Sequence, residues 1–485
     1  MFLILMLMVL KKAMFDPTSL KARKQVMGLL INPWGLTCLG ILTFQQLLEA
    51  SSIVWLVKLM ETVTAGGNFM PYILLYLTSL AVPYIPGCIA LIVKTHWKQE
   101  AQRHFINAFV SSNRNNIAEW NNKGIKEEKL SMLTSEGPMA LQALIDYVWE
   151  FSGYVLSVLF NMLALSIVVE PLFAIAYVVS VMCVIVIMNW RRRTQRQLTK
   201  KALTARVDLS QQLLAAWDNV LLGNDYNFKL WDEKTTQRLK RCLQRNIDLE
   251  RFDQVLAIFV ALITSVPSLA VVVYSAIQYA HDPVKLSAFV VILPLLFQIL
   301  SYTYQTLTLA FRWGMHRSKL MAIYRSIQAS KDSHSTLEKK VKWSKITASH
   351  NATRAEDSQI SMAYPRAIVS HNDLLSLSQN KGRFTLRGEN GCGKSTALIL
   401  IKNALAGKAF LLPTHNQLSF LSETNKYSTG ESLRKRVQEI IDKVDVDVLL
   451  LDEWDANLDH ENQEILSALI NDLAEKKCVI EVRHR

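Results

Sequence analysis

The chain alternates between long apolar blocks and charged intervals up to about residue 312, and then changes character. Five blocks carry no charged side chain: Phe69–Val93, Phe151–Val169, Pro171–Trp190, Val255–Ala280 and Leu286–Phe311, each 19 to 26 residues long. A sixth, Gly35–Val57, is broken only by Glu49. At about 1.5 Å per helical residue, each block can cross a hydrocarbon core of about 30 Å. One such block alone could be a buried core helix, but six in series predict six transmembrane helices. Pro83, Pro86, Pro267 and Pro294 fall inside them. Prolines are tolerated there because neighbouring helices can satisfy the freed carbonyls.

The intervals differ in length and charge. Met1–Trp34 holds five Lys/Arg, Lys94–Asp146 holds seven and Arg191–Arg251 holds fourteen. The short intervals, Lys58–Asn68, Glu170-Pro171 and His281–Lys285, hold only Lys58 and Lys285. The positive-inside rule therefore puts both termini and both long loops in the cytoplasm. The second loop reads as helix nearly throughout Leu198–Leu256, with no proline. Fifty to sixty residues cannot form a tight turn, so helices are expected to project well beyond the bilayer after spans two and four.

Composition agrees. The 485 residues are 50% hydrophobic and 20% charged, with a net charge of +13, and mean hydropathy is +0.16. These values exclude a disordered or collagenous chain. The basic excess lies beside the spans, where it sets orientation and meets anionic headgroups, so nucleic acid is not the expected partner. The six cysteines form no C-x-x-C pair, which argues against a structural zinc site and a disulfide framework. Residues 1–30 are expected to be a cytoplasmic or interfacial segment. The apolar run Met1–Leu10 is too short to span and precedes its basic residues, unlike a signal peptide, and Met14 is an alternative start. Residues 31–312 form the membrane domain, the polar stretch 313–355 a linker, and 356–485 a soluble domain.

The soluble end carries the chemistry. Gly388-Glu389-Asn390-Gly391-Cys392-Gly393-Lys394-Ser395-Thr396 satisfies G-x-x-x-x-G-K-[ST]. It follows a strand-like Arg383–Arg387 and precedes a helix-like Ala397–Leu405, the context that the motif needs. Backbone N–H groups of such a loop curl around phosphate oxygens, and the helix N-terminus adds positive potential. Lys394 would reach the β- and γ-phosphates and Ser395 would ligate Mg²⁺. Downstream, Val448-Leu449-Leu450-Leu451-Asp452-Glu453 reads as a buried parallel strand ending in two carboxylates. Strand C-termini line the ligand crevice of such sheets, placing Asp452 near Mg²⁺ and Glu453 on the attacking water.

Spans and motifs together resemble an ATP-binding cassette (ABC) exporter, a half-transporter with its permease fused ahead of its ATPase. The resemblance implies a six-helix all-α membrane domain followed by an α/β P-loop nucleotide-binding domain, with ATP and Mg²⁺ as cofactors. It also implies that Tyr427-Ser428-Thr429-Gly430-Glu431 is the signature motif, with Thr429 where glycine is usual. Ser428 and Gly430 would then clasp a γ-phosphate. Ala456-Asn457-Leu458-Asp459 resembles the D-loop, and His484 resembles the switch histidine. Gln417 is the Q-loop candidate, joining Ser395 and Asp452 on magnesium. Tyr364 either stacks on adenine or is an ordinary strand tyrosine.

Three features depart from the family pattern. Only 34 positions separate Lys394 from Ser428, so the helical subdomain expected there is reduced to a stub. Trp454 stands where proline is common, and the sequence ends at Arg485, just after the switch histidine. Cys392 sits within the loop. If its thiol is accessible, N-ethylmaleimide should block nucleotide binding and ATP should protect. Glu49 is the one acidic residue well inside a span. It either contacts a cationic substrate group or a proton, or is wet because the span extends past the membrane. Gln298 and Gln305 share a helical face and either line the same cavity or pack helices.

The expected function is ATP-driven export of an unidentified substrate by a homodimer, in a bacterial inner membrane. The alternative is a nucleotide-gated protein that hydrolyses weakly or not at all, or the degenerate half of a heterodimer.

Overall fold

The computed structural model describes residues 28, 30–120, 122–168, 170–328, 337–350, 365–414, 418–421, 429–456 and 458–483. The chain separates into two compact units: Met1–Ala108 with Met132–Arg325, and Phe109–Ser131 with Ser326–Arg485.

The first unit is helical. Helix α1 (Pro33–Thr64) starts where Asn32 accepts the Gly35 N–H at 2.8 Å and Pro33 presets the first turn. It ends at Ala65–Gly67, where Gly66 takes φ +72°. Helix α2 (Met70–Ala81) and helix α3 (Tyr84–Asn113) divide the expected second span at Val82-Pro83. Proline lacks the N–H that would continue the ladder and so interrupts the helix there. In the second unit a short 3-10 turn (Ile117–Glu119) and helix α4 (Lys123–Ser131) follow. Then come α5 (Gly137–Val168), α6 (Leu172–Leu214), α7 (Ala216–Leu221), α8 (Asp225–Gln278) and α9 (Pro283–Ile327). Helices α6 and α8 pack along one another. They are 43 and 54 residues long, about 65 and 80 Å at 1.5 Å per residue, well beyond a bilayer's thickness.

Among the described residues, five helical stretches are long and apolar enough to cross a membrane: Pro33–Thr64, Met70–Asn113, Gly124–Val168, Asp225–Gln278 and Phe289–Ile327. These suggest an integral membrane protein. Six were expected. The remaining block, Pro171–Trp190, opens α6, but side chains at several of its positions lie outside the described residues. Large apolar side chains point outward along the five, among them Phe44, Leu74, Ile92, Ile167, Val266 and Phe297. In water such a surface would be an aggregation site; in lipid it costs nothing. Among the buried clusters that join the described helices, one surrounds Cys38, Trp97, Ile145 and Leu320 and another surrounds Ile53, Leu165, Phe173 and Ile299. Many hydroxyls in these helices bond within their own turns, as where Thr43 donates to the Leu39 carbonyl at 2.7 Å.

The second unit is a mixed α/β domain. Its strands are β1 (Ile346–His350), β2 (Arg366–Ala367), β3 (Gly382–Gly388), β4 (Ala409–Leu412), β5 (Val448–Asp452) and β6 (Cys478–Val482). They form one sheet in the order β2-β1-β3-β6-β5-β4. The last four are parallel, and β1 is antiparallel to both its neighbours. Strand β1 lies in the stretch expected as linker; its Ser- and His-containing sequence carries no apolar run to announce it. Among the described residues the sheet is accompanied by α10 (His371–Leu377), α11 (Lys394–Leu405), α12 (Thr429–Lys443) and α13 (His460–Ala474). One core cluster joins α10 and α11 to the sheet, the other α12 and α13. Burial on both faces explains why β5 and β6 read as nearly continuous apolar runs. Ile117, from the first long loop, packs against the α11 side of this core.

Candidate nucleotide site

The site is built where β3 ends and α11 begins. Gly393 caps α11 at φ +98°, a conformation closed to most side chains. Gly388 has no room for a side chain: a Cβ would stand 2.4 Å from the Lys345 carbonyl oxygen and 2.9 Å from Cys392 Sγ. The segment 340–345 therefore clamps the loop from outside. Lys342 N–H donates to the Cys392 carbonyl at 2.9 Å, and Lys345 Nζ pairs with Glu389 at 2.6 Å. That ion pair raises the Lys345 pKa and lowers that of Glu389. Neither lysine was singled out from sequence, because no motif marks them.

Lys394 folds back over the loop, donating from Nζ to the carbonyls of Gly388 at 2.9 Å and Glu389 at 3.2 Å. Ser395 Oγ donates to Asp452 Oδ1 at 2.9 Å, joining the start of α11 to the end of β5. Burial raises the Asp452 pKa, partly offset by the Ser395 hydrogen bond. Glu453 follows in the left-handed region at φ +45°, with its N–H donating to the Val482 carbonyl at 2.9 Å. Thr414 Oγ1 donates to the Asp452 carbonyl at 2.7 Å and ties the loop after β4 to the same corner.

These residues fit a nucleotide and its magnesium. Ala397 N–H closes the first turn of α11 on the Gly393 carbonyl at 2.9 Å, which sets the N-terminus of that helix at the end of the loop. A Cβ built on Gly391 meets nothing within 4 Å, leaving that edge of the loop open, and Asn390 beside it is exposed. Thr396 is buried within α11. Cys392 is only 1% exposed and packs in the core beneath the loop. Its thiol therefore faces away from solvent, contrary to the condition for alkylation, and packs beneath Gly388 on the core side of the loop.

A second grouping forms at the N-termini of α12 and α13. Asp459 caps α13, accepting from Asn462 N at 2.8 Å and Nδ2 at 3.0 Å. A Cβ on Gly430 would stand 2.6 Å from the same Nδ2. Gly430 and Asp459 thus meet through Asn462, which sequence reading did not identify. Tyr364, Gln417, Ser428, Asn457 and His484 lie outside the described residues.

Behind Glu453 lies a buried polar network. Glu481, on β6, accepts from Arg383 Nε at 3.0 Å and Nη2 at 2.8 Å, from Thr385 Oγ1 at 2.8 Å and from Trp454 Nε1 at 2.9 Å. Arg383 also donates to Ser467 and Asn471 of α13. The signal for it was one acidic residue in an otherwise apolar strand. No family model matches the chain, and no curated protein sequence matches it.

Proposed function

We propose that this chain is an ATP-binding cassette-type half-transporter that works as a homodimer and uses ATP hydrolysis to export a solute across a bacterial inner membrane. The observation that carries the reading is the Ser395–Asp452 contact of 2.9 Å, at the N-terminus of α11 and the C-terminal ends of parallel strands. A hydroxyl and a carboxylate so placed, under a loop of G-x-x-x-x-G-K-S, suit a magnesium ion carried on phosphates. The five apolar helical stretches supply the second half of the reading.

ATP, with magnesium, would supply the phosphoanhydride whose cleavage provides free energy. Lys394 exchanges its loop carbonyls for phosphate oxygens, and the loop N–H groups hold the negative charge. Ser395 and Asp452 orient the metal. Glu453, on its constrained turn, accepts a proton from water. Gly430 and Asp459, joined through Asn462, belong to the face that would complete the partner's site. Packing of Ile117 against the α11 side of the core supports a mechanical link from the first cytoplasmic loop to the nucleotide. A second reading, a nucleotide-gated protein with little turnover, is favoured by the short interval of residues 413–428 between β4 and α12, where a helical subdomain is expected.

ATPase activity of the purified full-length protein separates the readings. Wild type should hydrolyse ATP, and Glu453→Gln should lose about 100-fold or more, the usual worth of a general base. Equal rates in both would reject the transporter-ATPase.

A further inference from the structure

The geometry points to a binding chamber for an organic ammonium ion in the helical unit, centred on Glu49. The inference rests on the transporter reading for its role and names the class of solute carried. Two adjoining cavities, each about 320 Å³, share Gln45, Glu49, Ser157 and Tyr302. Each is within the usual range for small-molecule sites.

The lining is acidic and acceptor-rich. Among its described residues there is no Lys, Arg or His. Glu49 accepts one amide N–H on each oxygen, from Gln45 Nε2 at 3.1 Å and Gln46 Nε2 at 3.0 Å. Those bonds orient the carboxylate but do not neutralise it. They also fix the orientation of Gln46, because a carboxylate can only accept. Gln46 is 8% exposed, lines the chamber, and its Oε1 has no hydrogen-bond partner. A buried acceptor without a donor costs on the order of 1–3 kcal/mol, and the part-buried carboxylate beside it attracts a positive charge. A protonated amine answers both, with N–H donors and a charge on one atom.

One basic group reaches the chamber wall from outside: Lys94 Nζ lies over the ring of Trp149, 5.4 Å from its centroid, and is also held by a carboxylate. Lys94 and Lys98 pair with Asp146 at 3.2 and 2.7 Å. Glu150, one turn beyond Asp146, is a second carboxylate on the chamber wall. Tyr84, Tyr154 and Tyr302 add aromatic faces, which suit a cation attached to an apolar body. Gln298 lines the chamber and donates to Tyr302 Oη at 2.7 Å; Gln305 is not among the described lining residues.

The test uses full-length protein in phosphatidylcholine nanodiscs and two dyes with one body. Dansylcadaverine carries a primary ammonium, and its N-acetyl derivative is neutral. Wild type should bind the ammonium form about tenfold or more tightly, a ~1.4 kcal/mol preference. Glu49→Gln should abolish the preference, and Glu49→Asp, which keeps the charge, should retain part of it. Equal binding of both dyes by wild type, binding of neither, or an unchanged preference in Glu49→Gln would overturn the proposal. Displacement by added phosphatidylethanolamine would assign the ammonium to a lipid headgroup; no displacement would assign it to a soluble amine. Both keep the ammonium site. Binding of a fluorescent ATP analogue, measured on the same samples, is independent. Its failure alone would remove the transporter reading and leave the chamber standing.

Discussion

The indole N–H of Trp454 donates to Glu481 Oε2 across 2.9 Å, and both residues are buried. Trp454 immediately follows Glu453, whose backbone is at φ +45°. A residue there needs its surroundings to hold it, and this bond anchors the turn to the neighbouring strand. Trp454→Phe keeps an aromatic ring but loses the donor together with the second ring of the indole. It should destabilise the second unit by about 1–2 kcal/mol and lower ATPase turnover more than nucleotide affinity. Pulse proteolysis and steady-state kinetics of the full-length protein check both.

Glu481 also predicts a pH dependence. Burial pushes its pKa up, but the hydrogen bonds and charge of Arg383 outweigh burial and hold it below the ordinary glutamate value. The unfolded chain then takes up its proton first as pH falls. Stability from this pair is complete above the ordinary glutamate pKa and is lost as pH drops through the lower folded value. Glu481→Gln should flatten that acid dependence and cost about 3–5 kcal/mol at neutral pH, because Arg383 stays buried without its counter-charge. Unfolding midpoints measured between neutral and acid pH provide the check.

Gly388→Ala introduces a Cβ 2.4 Å from the Lys345 carbonyl, which is backbone and cannot swing aside. The loop must shift. Binding of a fluorescent ATP analogue should weaken by about tenfold or more, a ~1.4 kcal/mol loss. Lys394→Ala should weaken it at least as much. Wild-type affinity in either variant would reject the loop as the nucleotide cradle.

Cys392 should resist N-ethylmaleimide in the folded protein, since its thiol is 1% exposed. Mass spectrometry should find it labelled only after denaturation. Any inhibition by the reagent should persist in Cys392→Ser.

Ile117→Ser removes apolar surface from the contact with the α11 side of the core. The half-buried side chain implies a cost of about 1 kcal/mol. If the contact transmits motion, substrate-stimulated ATPase should fall while basal activity persists.

Much of this protein is legible in one dimension because its strongest signals are local. Charge-free blocks long enough to cross a bilayer favour apolar helices whatever their neighbours. A glycine-rich loop between strand and helix is likewise a contiguous feature, and Val448–Leu451 is apolar because both faces of β5 are covered. What the chain order could not supply is contact between distant residues. Lys342 and Lys345 clamp Cys392 and Glu389 only because β1 pairs antiparallel with β3. Arg383 and Glu481, almost a hundred positions apart, meet because β6 inserts between β3 and β5. Asn462 joins Gly430 to Asp459 through two helix ends. Glu49 read as an ambiguous carboxylate until packing surrounded it with acceptors and aromatic rings. Side-chain type is a property of one position, whereas desolvation, charge pairing and cavity shape belong to the assembled helices and strands.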